Sequence, residues 1–378
     1  MGRLTAATLT LLATISLAAT VTVPAHAQTA TAADTPAPQP NRPAPPKGAP
    51  SDFFGLVSED AFGSPGAYRN AQLATEASLG FRLIRQTFDW SSIEVAPGQY
   101  NFSVYDAFVG DAARNGITVL PIIFRAPGFR GGSASGTATY PPRKYSDLGD
   151  FGAVLVKRYG PDGTFWSQNP DVPKLPIRAW QIWNEPNLKA YWKKPNPKEY
   201  AKLLKAAAKP IKAADPSADI VTAGMPESRI GVPLKQFIPG LYKAGAARSF
   251  DVLAINPYGR TASAVIKNIK NVRTIMRKFH DSAPIWATEV GWSDSGPSSP
   301  QRAGAQGQAK QVGKLISLAV KNRRKLKLRG IVYFGWRDAA PYQGGKDFWG
   351  LHTGLLTLDG SPKPAFFAMQ KALTAVGG

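Results

Sequence analysis

Cysteine is absent from the 378-residue sequence, and histidine occurs only three times, as His26, His280 and His352. The absence of cysteine excludes a disulfide framework, a thiol nucleophile, a thiolate zinc site and a cysteine-bound iron–sulfur cluster. So few histidines argue against a multi-histidine metal centre. The chemistry of this chain must therefore come from carboxylates, hydroxyls, amides and aromatic rings.

Acidic residues are also scarce, with 25 against 46 basic ones, which gives a formal charge of +21. Such an excess predicts attraction to polyanions, whether nucleic acid, cell-wall polymer or anionic glycan, and carries no information about fold. The densest basic cluster, residues 321–329, lies at the end of a predicted helix and contains no aromatic residue. Proteins that bind nucleic acids commonly interleave basic residues with aromatic ones. We predict a solvated helix end and no specific nucleic-acid partner.

The longest apolar run stands at the N-terminus, where residues 4–23 follow Arg3 and lead into Ala25-His26-Ala27. This pattern predicts a signal peptide over residues 1–27, since Thr and Ser dilute the run too much for a membrane anchor. Cleavage would leave a charge of +20 and no transmembrane anchor. Residues 28–51, rich in Pro, Ala and Thr, predict an extended linker. We expect a monomer that is secreted or associated with the cell wall and whose single domain spans residues 52–378.

From residue 52 onward, short apolar runs alternate with amphipathic segments. Strict alternation predicts a parallel sheet, and eight units fit a closed (β/α)8 TIM barrel. The alternative, an open doubly wound sheet, usually has a glycine-rich turn after an early strand, and none is present. The predicted strands are 53–57, 82–86, 117–124, 178–184, 219–224, 251–256, 284–289 and 329–335, and the predicted helices are 67–79, 104–115, 146–159, 198–214, 234–244, 261–280, 301–324 and 364–375.

Two glutamates end buried strands of this predicted barrel. Glu185 closes the fourth strand in Trp-Asn-Glu-Pro, and Glu289 closes the seventh in Thr-Glu-Val-Gly-Trp. A carboxylate without a partner at such a position costs several kcal/mol, and active sites of barrels lie at the carboxyl ends of the strands. One such glutamate could cap a helix or pair with a core arginine. Two of them, each flanked by tryptophan, indicate a catalytic pair.

These two motifs resemble the acid/base and nucleophile motifs of the retaining (β/α)8 glycoside hydrolases of clan A, which include cellulase-like and β-xylosidase-like families. Residues 85–106 and 354–365 are similar to the second-strand and closing segments of that clan. The resemblance implies that Glu185 is the general acid/base and Glu289 the nucleophile. The chemistry asks for the same division: one carboxyl protonated, the other ionised, about 5–5.5 Å apart. Such a cycle needs no metal and no cofactor.

The resemblance also assigns roles to residues around the pair. It implies that Asn184 binds a sugar 2-hydroxyl, that Arg85 and Tyr258 hydrogen-bond the nucleophile, and that Trp336 is the platform under the sugar. Asn256 departs from the pattern, because many members have histidine there. We assign flanking sugar subsites to Trp183, Trp292, Trp90 and Trp192. For Trp90 and Trp192, packing in the core is at least as good an interpretation. Arg125 and Arg130 lie on the loop after the third strand. They could contact an anionic substrate, but the sequence favours their interpretation as solvated loop residues.

The sequence thus predicts a secreted glycosidase of bacterial type that hydrolyses O-glycosidic bonds of a poly- or oligosaccharide, neutral or anionic. Two alternatives remain: a transglycosylase, which would use the same residues, and a barrel that binds glycan or cell wall without cleaving it. Retention of both carboxylates argues against the second alternative. The sugar, the linkage and the choice between endo and exo action stay open.

Overall fold

A computed structural model describes residues 50–131, 140–341 and 345–377. The predicted signal peptide and almost all of the predicted linker lie outside the described residues. The strands are β1 (Phe54–Val57), β2 (Leu83–Asp89), β3 (Glu94–Ala96), β4 (Gln99–Tyr100), β5 (Thr118–Phe124), β6 (Ala179–Ile182), β7 (Asp219–Val221), β8 (Met225–Pro226), β9 (Leu253–Asn256), β10 (Ile285–Val290) and β11 (Leu328–Phe334).

The helices follow the strands in the predicted alternation. They are α1 (Gly66–Ser78), α2 (Trp90–Ile93), α3 (Ser103–Arg114), α4 (Tyr145–Tyr159), α5 (Thr164–Gln168), α6 (Pro197–Ala214), α7 (Leu234–Lys243), α8 (Ala262–Lys278), α9 (Ala305–Leu326) and α10 (Pro364–Gly377), with 3-10 turns at Ala246–Arg248 and Trp349–His352.

Nine of the strands form one sheet in the order β7, β6, β5, β2, β1, β11, β10, β9, β8, and every pairing in it is parallel. The edges β7 and β8 are two pieces of a single barrel strand. β7 pairs with β6, β8 pairs with β9, and a further parallel bridge joins Val221 to Val252. The sheet therefore closes on itself, and the predicted (β/α)8 barrel is confirmed.

The prediction of one continuous fifth strand over 219–224 is wrong, since the structure has two short pieces, β7 and β8. Side chains replace the backbone hydrogen bonds between these pieces. Ala254 N donates to Thr222 Oγ1 at 2.7 Å, and Ala223 N donates to the buried Tyr200 hydroxyl at 2.6 Å. These bonds interrupt the ladder without leaving the backbone groups unpaired. The sequence pattern also missed the small β3–β4 hairpin and the short helices α2 and α5, which are too brief to show a period.

Local signals explain where the long helices begin. Asn196 precedes α6 and accepts from Lys198 N at 2.9 Å, with Pro197 in the first helical position. Thr261 caps α8 by accepting from Ala264 N at 3.2 Å. Asn and Thr are favoured before a helix because their side chains accept hydrogen bonds from amides that have no partner within the helix. Proline is favoured in the first helical position because its missing N–H would have no partner there. Helix α9 begins at Ala305, four residues later than predicted, because Arg302 still bridges to Ser293.

The core has two layers, as expected for a barrel surrounded by helices. A large outer layer fills the space between the sheet and the helices. A smaller inner group fills the barrel itself and consists of Val57, Leu83, Leu120, Val221, Val252, Ala254, Trp286 and Val332. The barrel is therefore solid below its mouth, and a ligand can reach only the loops at the carboxyl ends of the strands. Among the described residues, no helix is both long and apolar enough to cross a membrane.

Glu76 is a fully buried carboxyl on α1, away from the two glutamates of the barrel mouth. Ser58 Oγ donates to its Oε1 at 2.5 Å, while Oε2 has no hydrogen-bond partner within the described residues. Burial raises the pKa of Glu76 from 4.5 to about 8, the bond from Ser58 opposes this, and the charge of Asp60 adds to it. The folded state therefore holds a proton that the unfolded chain has released, and stability falls as pH rises between these two pKa values.

We expect Glu76→Gln to flatten this pH dependence. Urea unfolding at pH 5, 6, 7 and 8, followed by circular dichroism, should give the variant an advantage in unfolding free energy that grows by about 2 kcal/mol or more across the range. The matched control is Glu227→Gln, because Glu227 is exposed. Parallel pH profiles for the wild type and Glu76→Gln would show that this carboxyl is not protonated in the fold.

Candidate active site

The two glutamates come from opposite sides of the barrel mouth. Glu289 lies in β10, and Glu185 follows the end of β6 by three residues. In the closed sheet these strands are separated on the shorter side by β9 and by the divided strand β7/β8. Because carboxyl ends of parallel strands open onto the same edge, both side chains reach one pocket. Arg85, from β2, links the two sides.

Glu289 is held at both carboxylate oxygens. Arg85 Nη1 donates to Oε1 at 2.6 Å, and the Tyr258 hydroxyl donates to Oε2 at 2.8 Å. Burial and the charge of Glu289 raise the pKa of Tyr258 well above its usual value, so the phenol stays protonated as a donor. A positive neighbour and two donors stabilise the ionised carboxylate. Glu289 retains 12% side-chain exposure, which leaves a path for a ligand.

Arg85 uses its whole guanidinium fork within the site. Besides Glu289, it donates from Nε to Gln181 Oε1 at 2.7 Å and from Nη2 to Asn184 Oδ1 at 3.0 Å. Gln181 is fixed in turn, because its Nε2 donates to Thr222 O at 3.0 Å. The planar fork thus sets the orientation of three partners at once. Because Oδ1 of Asn184 accepts from Arg85, the amide Nδ2 is the end that remains for a ligand hydroxyl.

Glu185 has a different environment. It is almost fully buried, and Asn256 Nδ2 donates to its Oε1 at 2.8 Å, while Oε2 has no hydrogen-bond partner within the described residues. Burial raises the pKa of Glu185, and the negative charge of Glu289 raises it further; the bond from Asn256 and the charge of Arg85 act in the opposite direction. The surroundings of Glu185 therefore favour its protonated form.

The backbone that presents Glu185 is strained. Trp183 has φ of 72° and Glu185 has φ of 41°, both in the left-handed region that non-glycine residues avoid. The segment is held by Trp183 N donating to Ile123 O at 3.0 Å and by Glu185 N donating to Gly224 O at 3.3 Å. Left-handed conformations cost about 1–2 kcal/mol per residue and persist where the surroundings fix them, often at functional sites. Here they turn the acid into the mouth.

Asn256 is oriented by a second residue. Thr288 Oγ1 donates to Asn256 Oδ1 at 2.8 Å, so the amide must direct its NH2 group to Glu185. Both residues are fully buried. A Cβ on Gly224 would collide with Asn256 Oδ1 and Thr288 Oγ1, so only glycine leaves room for this arrangement. Sequence reasoning noted Asn256 only as a departure from the clan pattern, and its contact with Glu185 had no sequence signal.

A third carboxyl, Glu59, lies near the pair, two residues past the end of β1. Burial raises its pKa, a hydrogen bond from Gln86 and the charge of Arg85 oppose this, and the charge of Glu289 adds to it. Gln86 is itself buried in β2. Sequence reasoning missed Glu59, although its place after the first barrel strand could have suggested it. The mouth therefore contains three carboxyls and one buried arginine.

The structure corrects the aromatic assignments. Trp336 is buried away from the mouth, its Nε1 donates to Gln72 Oε1 of α1 at 2.8 Å, and its ring lies 6.0 Å from that of Phe366 in α10. Trp183 and Trp292 are fully buried, with their indole nitrogens bound to backbone carbonyls. Trp90 and Trp192 are core residues as well. None of these five lines an open subsite.

Two other aromatic residues lie nearer to the barrel mouth than Trp336. All nine tryptophans lie in the described part of the chain, and Trp349 alone among them is not buried. Its ring lies 5.1 Å from that of Tyr258, at 82°. Phe334, the last residue of β11, packs on the residues that fill the barrel. In the sequence Phe334-Gly335-Trp336, the phenylalanine and not the tryptophan faces the barrel interior, and this alternative assignment would have identified Phe334.

Arg125 and Arg130 are engaged by the protein itself. Arg125 Nη1 lies 3.0 Å from Asp89 Oδ2, and Arg130 pairs with Glu94 at 2.7 Å and with Asp147 at 3.5 Å. These contacts give both arginines a structural role on the loop after β5. Within residues 50–131, 140–341 and 345–377, no group of three or more His, Cys, Asp or Glu side chains could hold a metal ion.

A (β/α)8 barrel with one arginine-paired carboxyl and one deeply buried carboxyl at its mouth has the arrangement that carboxylate-pair enzymes use on glycosidic bonds. Comparison with known proteins agrees. Residues 164–343 match the family model described as the glycosyl hydrolase catalytic core. The chain is thus similar, over the matched residues, to (β/α)8-barrel glycoside hydrolases.

Among curated proteins, the chain is 26% identical over 276 residues to a β-xylosidase of Caldicellulosiruptor saccharolyticus, covering 63% of this chain and 49% of that one. The chain thus spans about half the length of this relative. Among solved structures, it is similar to a monomeric β-xylosidase from Caulobacter crescentus CB15 (20% identity, TM-score 0.62, 88% and 69% of the two chains). The family 39 enzyme of Xanthomonas axonopodis pv. citri is also similar (19%, TM-score 0.63, 87% and 67%). These structural likenesses concern the fold.

We expect Asn256→Ala to raise the pKa of Glu185, because the amide donor stabilises the ionised form. Loss of one such bond corresponds to about one pKa unit. Thr288→Val should shift the titration in the same direction by freeing the amide to rotate, and Thr288→Ser should restore it. Carbon-13 NMR titration of labelled glutamate carboxyls measures this directly. An unchanged or lowered pKa in Asn256→Ala would contradict the assigned contact.

Proposed function

We propose that this chain is a retaining glycosidase in which Glu289 is the nucleophile and Glu185 the general acid/base. The observation that carries the proposal is the unequal treatment of the two carboxyls. Glu289 is paired with Arg85 and bound at both oxygens, whereas Glu185 is buried and one of its oxygens has no hydrogen-bond partner among the described residues. A retaining mechanism requires one ionised and one protonated carboxyl over the same bond.

In the first step, a carboxylate oxygen of Glu289 attacks the anomeric carbon while the bond to the leaving oxygen breaks. Glu185 transfers its proton to that oxygen, so the aglycone departs neutral and the sugar becomes an ester of Glu289. In the second step, Glu185 takes a proton from water, the water oxygen bonds to the anomeric carbon, and the ester bond breaks. Glu185 is then protonated and Glu289 ionised again, as at the start.

The electrostatic coupling of the pair supports this change of role. The negative charge of Glu289 is one cause of the raised pKa of Glu185. Esterification removes that charge, so the pKa of Glu185 falls when the intermediate forms and the residue becomes available as a base. Asn184 supports the same step from the other side, since its Nδ2 is positioned to donate to a sugar 2-hydroxyl.

For the substrate, we propose a neutral pyranoside of the β-xyloside type at the cleavage site. The curated relatives are named β-xylosidases. The arginines that could have attracted a uronate, Arg125 and Arg130, pair with carboxylates of the protein. Trp349 supports stacking on the apolar face of a sugar. Export through the predicted signal peptide is part of the same proposal.

Retention at the anomeric centre is the first expected outcome. With an aryl β-xyloside as substrate, proton NMR recorded within the first turnovers should show the β anomer of the released sugar before mutarotation produces the α anomer. Initial appearance of the α anomer would sink the assignment of Glu289 as nucleophile, because a single displacement inverts the centre.

The two glutamates should also differ in their variants. Glu289→Ala should lower kcat about 10⁴-fold or more on every substrate, since no covalent intermediate can form. Glu185→Ala should retain glycosylation with an activated dinitrophenyl leaving group that needs no proton, and added azide should accelerate its turnover and yield a glycosyl azide. If leaving group and azide affect both variants equally, the proposed roles are wrong.

A further inference from the structure

The ends of α8 and α9 carry a basic patch that the site does not use. It consists of six residues whose side chains are all exposed: Arg277, Lys278, Lys321, Arg324, Lys325 and Lys327. None of the six forms an ion pair with a described carboxylate, although many other basic residues of the described chain do. The helices α8 and α9 contain no Asp or Glu at all.

The two helix ends form one surface. Buried Arg273 of α8 donates from Nε and Nη2 to the carbonyl of Leu326 at the end of α9, at 3.1 and 3.0 Å. Lys327 Nζ reaches Ser282 O, just beyond α8, at 3.2 Å. The acidic residue nearest in sequence, Asp281, is occupied by the Tyr242 hydroxyl at 2.6 Å. The patch is therefore contiguous, and its six positive charges far exceed the single negative charge of Asp281 beside it.

The patch faces away from the active site. Helix α9 ends at Leu326, immediately before β11 begins at Leu328, so its C-terminus lies at the amino edge of the barrel. The carboxylates lie at the opposite edge. A seven-residue strand such as β11 spans about 23 Å at roughly 3.3 Å per residue. This exceeds the Debye length of about 8 Å at physiological salt, so the patch has little influence on charge in the site.

Helix dipoles account for only part of this charge. A cation in the last turn of a helix gains about 0.3–1 kcal/mol, and the effect is confined to that turn. Six exposed cations on two adjoining ends exceed that requirement and repel one another. Mutual repulsion without compensation is relieved when an anion binds, so the arrangement fits a polyanionic partner.

We propose that this patch binds a poly(polyol phosphate) of the cell envelope and holds the protein with its barrel mouth facing away from the polymer. Helices α8 and α9 contain no aromatic residue, and the ring of Phe279, which follows α8, is stacked on Tyr242, so the patch offers little surface for stacking on sugar rings or bases. A polyol phosphate has neither, and it carries a charge in every repeat. The choice of an envelope polymer rests on the proposed export of the chain, whereas the binding surface itself does not depend on the proposed catalysis.

The test compares two variants with the same net charge. The patch variant combines Lys278→Gln, Lys321→Gln, Arg324→Gln and Lys325→Gln. The control combines Lys198→Gln, Lys202→Gln, Lys205→Gln and Lys209→Gln, four exposed lysines of α6. Binding to immobilised poly(glycerol phosphate) is measured between about 50 and 300 mM salt, without any glycoside. Melting temperature and hydrolysis of a neutral aryl glycoside report on folding and on the site.

The patch variant should lose at least about tenfold in affinity at roughly 150 mM salt and show a shallower dependence on salt, while the control loses less than about threefold. Both variants should hydrolyse the neutral glycoside like the wild type. Equal losses in the two variants would overturn the proposal, because net charge alone would then explain binding. Failure of the wild type to bind poly(glycerol phosphate) while it binds duplex DNA would overturn the assigned partner.

Discussion

The ion pair between Arg85 and Glu289 is the interaction on which the arrangement of the site depends. It joins strands on different sides of the barrel, and the same guanidinium orients Gln181 and Asn184. A buried ion pair repays its desolvation only when the remaining donors and acceptors are satisfied, and here every edge of the fork is used. Burial raises the pKa of Glu185, the negative charge of Glu289 raises it further, and the charge of Arg85 opposes both. The asymmetry of the pair therefore comes from burial at Glu185 and from the contacts of Arg85 and Tyr258 with Glu289.

The irregular parts of the barrel serve the second carboxyl. The division of the fifth barrel strand puts Gly224 opposite Asn256 and Thr288, where any Cβ would collide with their polar atoms. The same glycine accepts from Glu185 N through its carbonyl and so helps to hold the left-handed Trp-Asn-Glu turn. The interruption that looks like a defect in the sheet therefore creates the space and the contact by which Glu185 is oriented. The hydrogen bonds from Asn256 to Glu185 and from Thr288 to Asn256 stabilise this irregular region.

Much of the fold could be predicted from sequence because alternation of strands and helices is written in local hydrophobic periods. All eight barrel strands and the long helices lie where those periods are. The positions of Glu185, Glu289 and Tyr258 near strand ends follow from the same pattern, whereas Arg85 lies within β2, which continues to Asp89. The directions in which aromatic side chains point cannot be predicted from this pattern. Trp336 and Phe334 are two residues apart at a strand end, and the backbone there leaves only Phe334 against the barrel interior. Likewise, Asn256, Thr288 and Glu59 reach the site through contacts between distant strands, which no local pattern encodes.

The topology also separates two kinds of charge along the barrel axis. Carboxyl ends of strands gather at one edge, where buried carboxyls are balanced by a single arginine and by neutral donors. Helix C-termini gather at the other edge, where the helix dipole favours cations and water screens them. Basic residues can therefore accumulate on α8 and α9 without disturbing the protonation states at the mouth, because the packed barrel and solvent lie between. A chain of +21 can in this way keep a site whose function depends on one negative charge being matched by one positive charge.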